Sequence, residues 1–202
     1  LHLLSAIHPD LTWSGEFAAE LQAVHSQAPE GAWQIGPELG NTPVHRTLAY
    51  LVWLLPLPVY SGSAISERLR FSHKLHTALV AGVRLRQDLP VLAGAPPSQV
   101  TARLENVPRV SLYSLYLITR SAPEKDLLWR YNQTWQYVQP ITDGRTLQQM
   151  GVKPGPIYAS ILERLRAAWL DGEVTCEAEE KDLLSKLLES GWVPPSEEVS
   201  EE

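Results

Sequence analysis

The chain has 202 residues, 44% of them hydrophobic and 20% charged, with a net charge of −6 and a single cysteine, Cys176. This composition is typical of a globular protein, and one cysteine excludes an internal disulfide framework and fits a reducing compartment such as the cytoplasm. The longest apolar run, residues 48–55, is far shorter than the ~20 residues that a membrane span needs, and no secretory leader is recognised, so we expect no membrane partner.

Charge is distributed unevenly along the chain. Residues 173–202 hold ten acidic and two basic side chains, a net charge of −8, so the other 172 residues sum to +2. Residues 61–87 carry five Lys or Arg against one Glu, a local charge of +4. Such a basic cluster is typical of a nucleic-acid contact, and equally of a solvated helix face. The negative net charge therefore does not exclude an RNA partner.

Helical patterns begin at the first residue. Residues 1–7 have the pattern of the last turns of a helix, which Pro9 ends because the residue before a proline avoids the helical conformation. We therefore interpret the chain as the later part, or fragment, of a longer protein. A second helix is predicted from its capping residue Ser14.

The next segments predict a loop and then a buried helix. Residues 29–40 are rich in glycine and proline, which is typical of a loop. Asn41 or Thr42 is predicted to cap a helix that starts at Pro43. Because this helix is apolar on nearly all sides, it is expected in the middle of a bundle.

The basic stretch predicts one long helix. Ser61 or Ser63 is predicted to open it, with an irregularity near Ser72. Arg70 and Lys74 are four residues apart, so on a helix they would stand together on one exposed face.

Prolines and capping residues mark the helices that follow. Residues 89–97 are predicted to form a turn region containing prolines, after which Ser98 caps a short helix. Further helices are predicted from Pro108 and from Pro123. Pro140 ends this part of the chain and is the predicted domain boundary.

Residues 143–171 carry the most specific pattern. Asp143 is predicted to cap a short helix over residues 145–150, and Gly151 ends that helix in the left-handed conformation. A second helix is predicted to start at the corner formed by residues 154–156, because first-turn amides have no partner within a helix and a proline loses nothing there. Its apolar side chains recur at helical spacing: Ile157, Ile161, Leu162, Leu165, Ala168 and Trp169.

This corner predicts an anion site. Lys153, the small Gly155 and the amides of a helix start meet there, and phosphate is the expected anion. Arg145, Arg70 and Lys74 are further candidate phosphate contacts. The alternative for the corner is a plain turn between helices, and the alternative for Arg70 and Lys74 is a solvated face.

No stretch has the alternating pattern of a β-strand, so an all-α fold is predicted. We expect a multi-helix bundle over residues 1–140 and a smaller C-terminal helical subdomain over residues 141–192, whose last helix runs from Glu177 to Gly191. An acidic disordered tail is predicted over residues 193–202.

Catalytic and metal-binding motifs are not found. There is no Walker loop, dinucleotide fingerprint, nucleophile elbow or Asp-x-Asp pair, so we expect no catalytic residue and no cofactor. His73 and His76 lie one helical turn apart but lack a third ligand, which favours a histidine pair without metal. Four aromatic side chains could stack on bases, although core packing is the favoured interpretation for most of them: Trp129, Tyr131, Trp135 and Tyr137.

Residues 151–156 (GVKPGP), followed by a helix and Asp171-Gly172, resemble the C-terminal region of bacterial tRNA nucleotidyltransferases and the related poly(A) polymerases. Residues 65–70 (ISERLR) and 97–104 (PSQVTARL) resemble the middle of the same family. Family members often carry a glycine two or three residues after the second proline of the phrase, where this chain has Tyr158 and Ala159.

The resemblance implies that the chain is the RNA-holding helical part of such an enzyme. It would hold tRNA or another RNA 3′ end while an N-terminal catalytic domain of the same chain adds nucleotides with Mg²⁺ and ATP or CTP. The Gly-Gly phrase and paired aspartates of that domain do not occur here, so the chain alone is expected to be inactive. Self-association is left open. The alternative from another class is a helical protein-protein interaction module without RNA binding.

Overall fold

The protein has an all-α fold. A computed structural model describes residues 8–11, 15, 18, 21–22 and 31–189. The helix predicted over residues 1–7, the cap at Ser14, the helix end at Gly191 and the tail over residues 193–202 lie outside the described residues. In the part of the chain that is described, no helix combines the length and the hydropathy that crossing a bilayer requires.

Nine α-helices lie within residues 31–189. They are α1 (Val44–Leu54), α2 (Val59–Arg68), α3 (His73–Leu92), α4 (Pro97–Leu104), α5 (Arg109–Ile118), α6 (Ala122–Gln133), α7 (Gly144–Gln149), α8 (Pro156–Leu170) and α9 (Glu177–Glu189). Two short 3₁₀ helices occupy Gly31–Trp33 and Trp135–Tyr137. A small antiparallel hairpin, β1 (Glu38–Leu39) and β2 (Thr42–Pro43), precedes α1.

The chain divides into two compact units. Unit 1 comprises Leu1–Ala95 and Val100–Gln136, and unit 2 comprises Pro96–Gln99 and Tyr137–Glu202. The first residues of α4 thus belong to unit 2 and the rest of that helix belongs to unit 1. The predicted boundary was Pro140, whereas the division falls after Gln136.

Unit 1 is organised by an apolar core. Helix α3 packs against α1, α2 and α5, and α5 also packs against α1 and α6. Gly82, in the middle of α3, explains how closely these helices approach: a Cβ there would lie 2.5 Å from Leu55 Cδ2 and 3.3 Å from Ser111 Cβ. Ser111 also donates its hydroxyl to the Ala78 carbonyl at 2.7 Å, which joins α5 to α3.

Aromatic rings close one end of this core. Trp33 is fully buried, and its ring centroid lies 5.4 Å from that of Tyr113, 5.2 Å from Tyr116 and 6.5 Å from Trp129. These are tilted arrangements of the kind that aromatic pairs prefer.

The start of α1 differs from the prediction. The helix begins at Val44, and its N-cap is Pro43 without a side-chain hydrogen bond, so the predicted caps Asn41 and Thr42 were wrong. Thr42 instead pairs with Leu39 in the hairpin. The predicted loop therefore contains a 3₁₀ turn and a strand. The strand pairs with β2 because Gly40, between them, adopts φ +63° and lets the chain reverse.

The basic stretch forms two helices instead of one. Helix α2 begins at Val59 with Pro58 as its N-cap, so the predicted caps Ser61 and Ser63 were wrong. Ser61 is buried and donates its hydroxyl to the Asp10 carboxylate at 2.5 Å. Ser72, where an irregularity was predicted, is the N-cap of α3 and accepts the Leu75 amide.

Two predictions near the end of α3 were also wrong. The helix continues through Pro90 to Leu92, although residues 89–97 were predicted to be a turn region. A proline removes only one helical hydrogen bond, and the fully buried Leu89 holds this segment against the core. Helix α4 begins at Pro97, so Ser98 is a first-turn residue and not a cap.

Unit 2 has a smaller apolar core, and its helix starts agree with the sequence. Helices α8 and α9 pack together. The buried members of the cluster within the described residues are Leu147, Ile161, Leu165, Leu184 and Leu187. The predicted helix starts at the 154–156 corner and at Glu177 are confirmed, as are those at Pro108 and Pro123 in unit 1.

Candidate nucleic-acid interface

Helix α7 begins and ends as the sequence predicts. Asp143 is the N-cap, and its Oδ1 accepts the Thr146 amide at 2.8 Å and the Thr146 hydroxyl at 2.9 Å. These two hydrogen bonds hold the pKa of the Asp143 carboxyl below its usual value. At the other end Gly151 has φ +81°. The Gly151 amide donates to the Gln148 carbonyl and the Val152 amide to the Leu147 carbonyl, which is the Schellman pattern.

The segment between α7 and α8, residues 151–156, is called the Lys153 bend. Lys153, Pro154, Gly155 and Pro156 are all exposed. Gly155 is extended and forms the N-cap of α8, and a Cβ added there would meet no atom within 4 Å. The backbone of the bend is therefore open to a ligand.

Tyr158 fixes the shape of the bend. Its hydroxyl donates to the Val152 carbonyl at 2.8 Å, which closes the bend from the first turn of α8. Its ring also packs against Gly144 at the start of α7, where a Cβ would lie 3.6 Å from Tyr158 Cδ2. Tyr158 thus links the two helices.

The bend combines three features that favour a negatively charged ligand. In the first turn of α8, Pro156 has no N–H and the Tyr158 amide donates to the Gly155 carbonyl at 3.0 Å, which leaves the Ile157 amide for a ligand. The helix dipole is positive at that end. Lys153 adds a mobile positive charge. Arg145 is exposed in the first turn of α7, at the opposite end of a helix about 9 Å long, so it does not belong to the bend itself.

Arg70 and Lys74 do not share a helix face, and that prediction was wrong. Arg70 follows α2 in a left-handed turn with φ +52°, and Lys74 lies in the first turn of α3. Both side chains are exposed. Both belong to unit 1, whereas the Lys153 bend belongs to unit 2.

The two histidines of the predicted pair, His73 and His76, have different surroundings. His76 Nδ1 lies 2.7 Å from the Ser66 hydroxyl and joins α3 to α2, while His73 is exposed. Among the described residues, no three His, Cys, Asp or Glu side chains come together as a metal-binding group. Mg²⁺, which the resemblance implies for a separate catalytic domain, has no such ligand set among these residues.

Most of the candidate stacking aromatics pack in unit 1. Tyr131 is buried, and Trp129 and Trp135 are half-buried against the apolar core, so core packing is confirmed for these three. Tyr137 is 53% exposed.

Glu180 is a buried structural carboxylate that the sequence did not reveal. It is 1% exposed, and it accepts the Ile141 amide at 2.9 Å, the Thr142 amide at 2.6 Å and the Trp169 indole N–H. Burial raises the pKa of its carboxyl, but these hydrogen bonds outweigh burial and bring the pKa below the usual value. Glu180 thus ties the segment before α7 to α8 and α9.

Asp171 has a comparable role that local sequence did not indicate. It is the C-cap of α8. Its carboxylate also accepts the amide of Ser98 at 2.9 Å and the hydroxyl of Ser98 at 2.6 Å. The start of α4 is thereby attached to unit 2.

Comparison of the chain with family models, with curated proteins and with solved structures finds no match.

Proposed function

We propose that this chain is the RNA-holding helical part of a tRNA nucleotidyltransferase or poly(A)-polymerase-like enzyme. In this proposal a catalytic domain earlier in a longer protein uses ATP or CTP and Mg²⁺ to add nucleotides to the 3′ end of tRNA or another RNA. The helical part positions the substrate and has no activity of its own. A reducing compartment such as the cytoplasm suits the exposed free thiol of Cys176.

The observation that supports this proposal is the open, rigid Lys153 bend. The Lys153 side chain and the Gly155 backbone at the start of α8 are both exposed, and the Ile157 amide lies in the same turn. The Tyr158 hydroxyl holds the bend in place, so little conformational entropy is lost when an anion binds. A phosphate of an RNA backbone fits this arrangement because helix starts and lysines both stabilise phosphate oxygens.

The bend suits recognition of backbone shape. Amides and a lysine contact phosphates, which are the same at every position in the sequence. An A-form acceptor stem presents regularly spaced phosphates and 2′-hydroxyls, and proteins bind such RNA mostly through these groups. We therefore expect affinity for folded tRNA with little dependence on base sequence.

Lys153→Ala tests the proposal. Binding of a tRNA transcript to the full chain is measured over a series of salt concentrations. Loss of one phosphate contact should weaken binding and reduce the slope of log K against log salt by about one unit. The matched control is Lys186→Ala, which removes the same charge from an exposed position in the last turn of α9. Equal affinities and slopes for the two variants would remove the bend from the interface.

A second candidate function has one observation in its favour. Ile141 and Met150 are large apolar side chains in unit 2, 56% and 48% exposed, and both border a groove of about 480 Å³ beside Leu184. Exposed apolar side chains beside a groove are typical of a protein-interaction surface. A protein-interaction module would associate in a concentration-dependent way, would lose that association in Ile141→Ser, and would not bind tRNA at moderate salt.

A further inference from the structure

A cleft of about 620 Å³ opens in unit 1, between the ends of α1, α3 and α5 and the start of α6. This volume is within the range of small-molecule sites. The cleft is lined by Val52, Arg86, Gln87, Ile118, Arg120 and Glu124, together with Pro56, Pro90 and Thr119. None of these residues is part of the Lys153 bend, which belongs to unit 2.

Arg86 is held in a fixed orientation at the cleft. Its Nη1 donates to the Pro56 carbonyl at 2.9 Å and to the Leu55 carbonyl at 3.4 Å. These carbonyls follow the end of α1, where main-chain acceptors lack helical partners. The guanidinium group is planar and has five N–H donors, so anchoring through one nitrogen orients the group while using only part of its donors.

The charge of the lining indicates a singly charged anion. Among the described lining residues the ionised side chains are Arg86, Arg120 and Glu124, which sum to +1. A phosphodiester carries one negative charge, whereas a terminal phosphate monoester carries close to two. Charge complementarity therefore favours the diester.

The rest of the lining suits a flat, partly polar group. The buried Val52 and the half-buried Ile118 present an apolar surface, and Pro56 and Pro90 extend it. Gln87 and Thr119 provide donors and acceptors beside it. An apolar surface with a few polar groups next to an anion site is what a nucleoside attached to a phosphate needs.

We propose that this cleft binds one nucleotide through a singly charged phosphodiester, with its base against the apolar surface. Two molecules carry this chemistry, a nucleotide inside an RNA strand and a free cyclic nucleotide. The basic stretch over residues 61–87, which includes Arg86, would attract either one.

The proposal is tested by NMR titration of the full chain, with amide shifts followed at Gln87 and Ile118. The probes are a dinucleoside monophosphate, a cyclic mononucleotide, adenosine, inorganic phosphate and an acidic hexapeptide. We expect the first two to bind at least about ten-fold more tightly than the others, because only they combine the base with the singly charged diester. Tighter binding of the dinucleotide identifies an RNA strand as the source, and tighter binding of the cyclic compound identifies a free nucleotide.

Two substitutions at the cleft have opposite expected effects. Arg120→Gln should weaken binding of the better probe about ten-fold, because a charged hydrogen bond to phosphate is lost. Glu124→Gln should tighten binding a few-fold, because it raises the lining charge to +2. The control Arg84→Gln, on an exposed position of α3 outside the lining, should change affinity less than two-fold. Protection of core amides against hydrogen exchange verifies that each variant is folded.

Several outcomes would overturn the proposal. Arg120→Gln and Arg84→Gln could weaken binding equally, which would indicate general charge attraction. Glu124→Gln could fail to tighten binding, which would contradict the charge argument. The acidic peptide could bind as tightly as the dinucleotide, which would assign the cleft to a protein ligand. Lys153→Ala should leave binding of these small probes unchanged. This separates the cleft from the bend, since either site can fail its test while the other passes.

Discussion

Each of the two units is stabilised internally, and the kind of contact that stabilises unit 1 differs from the kind that stabilises unit 2. In unit 1 the apolar core extends over six helices, α1 to α6, and side chains such as Leu51, Leu85 and Leu115 are completely buried. In unit 2 the apolar cluster is small, and carboxylates fix the loops to the helices. Those that accept main-chain amides are Asp143, Asp171, Glu179 and Glu180.

This difference changes the interpretation of the acidic C-terminal segment. Its net charge of −8 does not show which carboxylates are structural, but Glu180 is buried and Glu179 accepts both the amide and the hydroxyl of Thr175. Part of the negative charge is thus structural. Unit 2, which carries the Lys153 bend, should therefore depend on single carboxylates and on pH more than unit 1 does.

The largest expected effect is that of Glu180→Ala. This substitution leaves the buried Thr142 amide, the Ile141 amide and the Trp169 indole N–H without their acceptor. We expect a loss of about 3 kcal/mol in the free energy of unfolding of unit 2. Hydrogen exchange should accelerate in α8 and α9 and remain unchanged in α3 and α5.

The matched control for this variant is Glu189→Ala. Glu189 is an exposed residue of the same helix, and its replacement should change stability by less than about 0.5 kcal/mol. If Glu180→Ala were equally mild, or if exchange accelerated equally in α3, the contrast between the units would be wrong.

An intermediate effect is expected from acid. The pKa of Glu180 lies below its usual value of 4.5 in the folded chain, because hydrogen bonds to the carboxylate outweigh its burial. Ionised Glu180 therefore stabilises unit 2 above about pH 4.5, and this stabilisation is lost as the pH falls through the lower pKa of the folded state. Asp143 and Glu179, whose pKa values are also lowered, act in the same direction.

Acid should accordingly loosen unit 2 first. Amide exchange, corrected for the intrinsic effect of pH, should lose protection in α8 and α9 before it does in α3. In Glu180→Gln this pH dependence should be smaller, since the amide does not titrate. Simultaneous loss of protection in both units at one pH would contradict the comparison.

The smallest effect is expected from Tyr158→Phe. It removes the hydroxyl that holds the Val152 carbonyl and should cost about 1 kcal/mol. Amide exchange should accelerate over residues 152–157, and tRNA affinity should fall less than in Lys153→Ala. Tyr60→Phe, at a position that is 70% exposed in unit 1, is the control and should have no effect on either measurement.

Local sequence patterns predicted the Lys153 bend more accurately than the basic stretch. Capping by Asp143, the left-handed Gly151 and a helix start at Pro156 each involve residues within a few positions of one another. The exposure of Lys153 then followed from the shape of the turn. Arg70 and Lys74 were misplaced because the break between α2 and α3 depends on the left-handed Arg70, and apolar periodicity continues across it.

The sequence by itself determined the all-α fold and most helix starts, because prolines, capping residues and apolar spacing act over a single turn. Only the tertiary structure decided which carboxylates are structural and where the cleft of unit 1 lies. Glu180 accepts amides of residues that lie 38 and 39 positions away in the sequence, and Asp171 accepts from Ser98, 73 positions away. Arg86 donates to carbonyls after the end of α1 that lie 30 and 31 positions away. Contacts over such distances depend on how helices pack, and helix packing leaves no periodic pattern in the chain.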